Sequence, residues 1–158
     1  MRSLASSFVC GALATIAAVA CTPGAATAPS NGSASASGAV VVAVSLIKYG
    51  QATSSFGAVG GYSPAVIVVA RGTPVQFRND DTFAHTASGL GSAAFPQTNP
   101  LGTAAQSLHG SDVSQPDWST GNLGAGALSA PLNTSQPGTY FFGCFYHYPT
   151  MRGVIVVR

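Results

Sequence analysis

The chain has very little charge. Only 6% of its 158 residues are charged, six Lys and Arg against four Asp and Glu, for a formal net charge of +2. With no Lys/Arg cluster there is no electrostatic footprint for nucleic acid and no polybasic segment for anionic lipid. The four carboxylates are Asp80, Asp81, Asp112 and Asp117. No acid/base pair and no Ser/His/Asp set assembles from them, so the chain is not expected to be an enzyme. Cysteine is scarce too, at Cys10, Cys21 and Cys144, which excludes a disulfide framework. The glycine-rich run Gly121 to Gly126 lacks both the spacing and the βαβ frame of a nucleotide motif.

What is present begins with a targeting segment. Arg2 is a minimal positive region, Phe8 to Ala20 is an apolar run too short to span a bilayer, and Ala18-Val19-Ala20 supplies small residues before a cut. Cys21 would follow that cut, an arrangement that resembles a bacterial lipoprotein signal, with Ala18 standing where that motif usually carries Leu. The resemblance implies a lipid anchor on Cys21; ordinary secretion with a free Cys21 is the other reading. Residues 1–20 are therefore read as signal peptide and 21–38 as an uncharged Ala/Ser/Gly/Pro linker with nothing to bury. Treated as a flexible coil, that linker holds the domain about 20 Å from the membrane. Cys144 is then left unpaired in an oxidising compartment, where an unpaired thiol needs another reason to exist.

Residues 39–158 carry β grammar. Val40 to Ile47 and Ala65 to Val69 are rich in β-branched residues, Val75 to Asn79 alternates, and Thr139 to Phe142 and Val154 to Val157 are apolar runs after turn residues. Ala127 to Leu132 is a weaker strand candidate. Residues 89–126 lack periodicity and read as a loop-rich insertion with short strands around Gln106 to Leu108. Short strands, frequent turns and no helical stripe predict an all-β fold, a single antiparallel β-sandwich.

The chemistry concentrates in Gly138 to Val157. Cys144, His147 and Met151 fall within eight residues, between two strands. A lone Cys by default is a small buried hydrophobe, and Met is common core filler. Thiolate and thioether are nevertheless soft ligands, and one more imidazole completes two His, one Cys and a weak Met, the set that suits copper cycling between Cu(I) and Cu(II). His85 is the best candidate for that imidazole, with His109 as a spare. Zinc also takes Cys and His but does not use thioether.

The pattern resembles the cupredoxins, the plastocyanin and amicyanin group of small blue copper proteins. It is carried by Asn79-Asp80-Asp81 ahead of His85-Thr86, then Pro137-Gly138-Thr139-Tyr140, then Cys144, His147 and Met151 on one loop before Gly153 and a terminal strand. The loop departs from both subgroups: three residues separate His147 from Met151, where amicyanin-like loops have two and plastocyanin-like loops four. The resemblance implies Greek-key connections and a type 1 copper ion held by His85, Cys144, His147 and Met151. It also implies supporting roles behind the ligands for Thr86, Asn79 and Phe145, and one-electron transfer with redox protein partners through His147. Tyr148 and Pro149 are expected to form the docking patch. The expected setting is a monomeric domain, exported and held at the membrane through Cys21. The alternative is a copper-binding lipoprotein that sequesters or delivers the metal without a redox partner.

Overall fold

A computed structural model describes residues 35–158. The expected signal peptide (1–20), the expected lipid anchor Cys21 and the expected linker up to residue 34 lie outside the described residues.

Eleven strands form the described part: β1 (Val40–Val44), β2 (Ala52–Ser54), β3 (Gly57–Val59), β4 (Tyr62–Ser63), β5 (Val66–Val69), β6 (Val75–Asn79), β7 (Ser88–Gly89), β8 (Leu108–His109), β9 (Ser119–Thr120), β10 (Gly138–Gly143) and β11 (Arg152–Val157). One sheet has the order β4-β1-β6 and the other β5-β11-β10-β7-β9-β8, with β2 and β3 as a separate hairpin. The all-β sandwich expected from the sequence is the architecture found. Within it, two pairs run parallel: β1 with β6, and β5 with β11. In each case the chain leaves one sheet and crosses to the other before returning, which permits parallel neighbours without a helix. The weak candidate Ala127 to Leu132 runs along β6, with Leu128 opposite Arg78 and Leu132 opposite Val75.

Alternation decides which side chains face inward. Val42 and Val44 of β1, Ile67 and Val69 of β5, and Phe77 of β6 are buried, while Arg78 and Val68 between them are exposed. Phe77, Phe142, Tyr62 and Trp118 meet at the centre; Tyr62 and Phe142 pack edge to face at 4.8 Å, and Trp118 stacks on Phe77 at 6.2 Å. Each fully buried side chain of this size contributes about 1.5–3 kcal/mol. The 89–126 segment is loop-rich with a short strand at Leu108–His109, as expected, but it is built into the core rather than inserted beside it. That segment puts Val113, Trp118 and Leu123 into the main core and adds two strands to the larger sheet.

The parallel register of β1 with β6, Val44 opposite Asn79, brings both strands to the same end of the sandwich. The loop joining β10 to β11 lies there too, because the Phe145 N–H donates to the Thr86 hydroxyl. That shared end is where the candidate ligands collect.

Candidate metal centre

Each ligand-bearing loop is closed by its own hydrogen bonds. After β10, the N–H of Cys144 donates to the Met151 carbonyl at 3.1 Å, those of His147 and Tyr148 donate to the Cys144 carbonyl, and that of Met151 donates to the His147 carbonyl. The loop 144–151 is thus a tight turn with Cys144 and Met151 paired at its neck. After β6, the Asn79 side chain donates to the carbonyls of Phe83 at 2.7 Å and Leu123 at 2.8 Å, and accepts from the N–H of Asp81. Asn79 therefore shapes the turn that delivers His85.

The two loops bring three donors together. Cys144 Sγ lies 3.8 Å from His85 Nδ1 and 3.6 Å from His147 Nδ1, and the three ligand atoms are all within 4.8 Å of one another. His85 and Cys144 are fully buried and His147 is half-buried. Met151 is also fully buried, in the cluster that contains Cys144. Its side chain lies over Gly61, where a Cβ would come within 2.4 Å of Met151 Cγ; φ there is +76°, a conformation natural to glycine.

The surroundings hold the donors in place. Thr86 donates its N–H to Cys144 Sγ at 3.4 Å, and its hydroxyl accepts the N–H of Phe145 at 2.9 Å. Tyr62 donates to the Thr86 carbonyl at 2.7 Å. Thr86 thus ties one ligand loop to the other, while Phe145 takes part through its backbone, its carbonyl also accepting from Asn99. Behind His85, Nε2 lies 2.9 Å from Asp81 Oδ2, and that carboxylate also accepts from the Ser45 hydroxyl and the Leu46 N–H.

Burial pushes the Cys144 thiol above its usual range, against the N–H groups of Thr86, Tyr146 and His147, which favour the thiolate. Burial, then the neighbouring His85, push His147 below the usual histidine value, so it presents a neutral imidazole. Burial raises the Asp81 carboxyl, but the hydrogen bonds from Ser45, His85 and Leu46 outweigh it and the net shift is downward. A buried thiol with nearby N–H donors but no cationic side chain among its neighbours, facing two imidazole nitrogens, fits a thiophilic metal ion whose charge stabilises the thiolate.

The outer face differs from expectation at Tyr148. Its ring is buried beside Leu90, Phe141 and Val154, and its hydroxyl donates to the Pro96 carbonyl. Tyr148 therefore does not belong to an exposed patch; it pins the ligand loop to residues 90–101. Pro149 is exposed, as are Phe83, whose ring sits 4.9 Å from His85 and 5.8 Å from His147, and Tyr146. The Tyr146 hydroxyl lies 2.8 Å from the Asn122 side-chain amide and 3.0 Å from that of Gln106, a second tie between the ligand loop and the 89–126 segment. His109 stands apart, its Nδ1 against the Ser107 carbonyl.

Sequence reasoning named His85, Cys144, His147 and Met151; the structure puts the ligand atoms of the first three together and Met151 in the core cluster that contains Cys144, with Thr86 bridging the two loops and Asn79 shaping one of them. It missed Asp81 as the partner of His85 and Gly61 as the seat of Met151. The four-residue step from Asp81 to His85 and the Gly60-Gly61 doublet were the available signals.

No family model matches the chain, and no curated protein matches it in sequence. Among solved structures it is similar to amicyanin. The reduced form of one single-substitution variant matches at 20% identity and a TM-score of 0.50, over 78% of this chain and 86% of that one. The Cu(I) form of another matches at 19% identity and a TM-score of 0.51 over the same shares. A purple cupredoxin from Nitrosopumilus maritimus matches at 17% identity and a TM-score of 0.47, over 75% of this chain and 98% of that one. The likeness to amicyanin shows the fold: the chain is a sandwich of cupredoxin type.

Proposed function

We propose that this protein is a type 1 copper electron carrier, with His85, Cys144 and His147 as strong ligands and Met151 as a weak fourth. The observation that carries the reading is the convergence of two imidazole Nδ1 atoms and one thiol within 4.8 Å, on two loops fixed from behind. Bound copper supplies a one-electron Cu(I)/Cu(II) couple. The chain's part is to hold the donors still and keep water out. His85 and Cys144 are fully buried, so a substrate has no path to the centre from their side, and the half-buried His147 is the edge through which electrons pass. The same enclosure supports retention of the metal over the alternative of sequestration or delivery, since a delivery protein must release its cargo.

Phe83, Tyr146 and Pro149 surround that edge and form the proposed docking patch for redox protein partners. Replacing Phe83 by Ala is expected to slow electron self-exchange, measured by NMR line broadening, while leaving the visible spectrum intact; an unchanged rate removes Phe83 from the patch. Export and anchoring through Cys21 are inferred from residues 1–21.

The test is to titrate residues 38–158 with Cu(II), recording visible absorption and EPR beside Cys144→Ser. An intense thiolate-to-copper band with narrow hyperfine splitting, absent from the variant, is expected. Tight binding without that band would favour storage or delivery, and no binding would leave the fold alone.

A further inference from the structure

We infer that Asp81 is a positioning residue for the metal centre: it fixes the tautomer of His85 and holds down the reduction potential of the site. This rests on the copper reading above and adds a residue that the ligand set does not include.

Hydrogen-bond direction fixes where the His85 proton sits. The Leu46 N–H can only donate, and it meets Asp81 Oδ2 at 2.8 Å. The Ser45 hydroxyl accepts the Lys48 N–H at 2.9 Å, so its own proton is directed at Asp81 Oδ1. Both carboxylate oxygens are thus engaged as acceptors in a side chain that is 2% exposed. The remaining neighbour, His85 Nε2 at 2.9 Å, must then donate. That places the imidazole proton on Nε2 and leaves the Nδ1 lone pair facing Cys144 Sγ at 3.8 Å. No ring flip and no change of tautomer is needed when a metal arrives.

An anion hydrogen-bonded to a ligating imidazole also raises its basicity, which favours the more highly charged state of the metal. Outer partners of this kind change metal affinity by about 10–100-fold. A tenfold change in the preference for Cu(II) over Cu(I) corresponds to about 59 mV for one electron. The hydrogen bonds that Asp81 receives tune this donation, because each one draws charge away from the carboxylate.

Two substitutions therefore pull in opposite directions. Asp81→Asn keeps the shape and removes the charge, so the reduction potential rises by the equivalent of about tenfold in relative affinity. Ser45→Ala removes one donor from the carboxylate, strengthens its pull on His85, and lowers the potential by a smaller amount. Voltammetry of the copper-loaded proteins reads both. Long-range proton–nitrogen NMR on the metal-free proteins reads the tautomer directly: Nε2–H in the wild type, mixed in Asp81→Asn. Opposite shifts with the tautomer change support the proposal. An unchanged potential in Asp81→Asn, shifts of the same sign, or a wild-type His85 protonated on Nδ1 overturn it. Should Asp81→Asn fail to fold, Ser45→Ala and the wild-type tautomer still decide. A wild type without the thiolate band sinks the copper reading instead, while the tautomer result in the metal-free protein stands on its own.

Discussion

Gly61 lies beneath Met151 with no room for even a methyl group. A Cβ there would approach Met151 Cγ to 2.4 Å, and φ of +76° disfavours any L side chain. Gly61→Ala is expected to cost about 1–3 kcal/mol of stability and to push the thioether from its place. Urea unfolding checks the first and the copper spectrum the second; a variant with wild-type spectrum would show that Met151 does not ligate. The same scale explains what a sequence can and cannot reveal. Cys144, His147 and Met151 were legible because their donor types are rare and crowded into one loop. Asp81 was not, because a carboxylate in an Asn-Asp-Asp turn looks like any turn residue until its partner is known. Tyr148 was misplaced for a related reason: adjacency to His147 suggested the surface, whereas the loop turns its ring inward against Phe141.

At the scale of elements, the parallel pairing of β1 with β6 places Ser45 and Leu46 beside Asp81. Sequence alternation identifies both strands but not their relative direction, since the crossover between them leaves no local mark. The 89–126 segment shows the opposite failure, a stretch without periodicity that nonetheless belongs to the core. Its strands are two residues long, too short for a pattern, and its largest anchor is one indole, beside Val113 and Leu123. Trp118 stacks on Phe77 and packs against Phe142 at 6.1 Å, while Gln106 and Asn122 of the same segment carry the ties to Tyr146. Trp118→Ala is expected to lose about 3–5 kcal/mol. A loss below 1 kcal/mol by chemical denaturation would mean that the segment is dispensable after all.

For the molecule as a whole, scarcity of charge leaves few groups through which acid can act, and Asp112 is one far from the ligands. Burial raises its carboxyl, but the hydroxyl and N–H of Ser114 and the N–H of Ser135 lower it more, so it stays ionised further into acid than a free Asp. A folded-state pKa below the unfolded value stabilises the protein above about pH 4, and that contribution disappears as pH falls through the folded value. Asp112→Asn is therefore expected to be less stable than wild type at neutral pH, with the gap closing on acidification. Denaturation curves at a series of pH values check this; a gap that widens in acid would contradict it.

The unequal exposure of the ligands has a consequence for traffic. With His85 and Cys144 buried and His147 half-buried, a copper ion held as proposed above would enter by the same edge at which it would exchange electrons. A protein delivering copper and a protein exchanging electrons must therefore queue for the same few side chains. On that proposal, maturation and service would be mutually exclusive, and an immature copy would not engage a redox partner while it is being loaded.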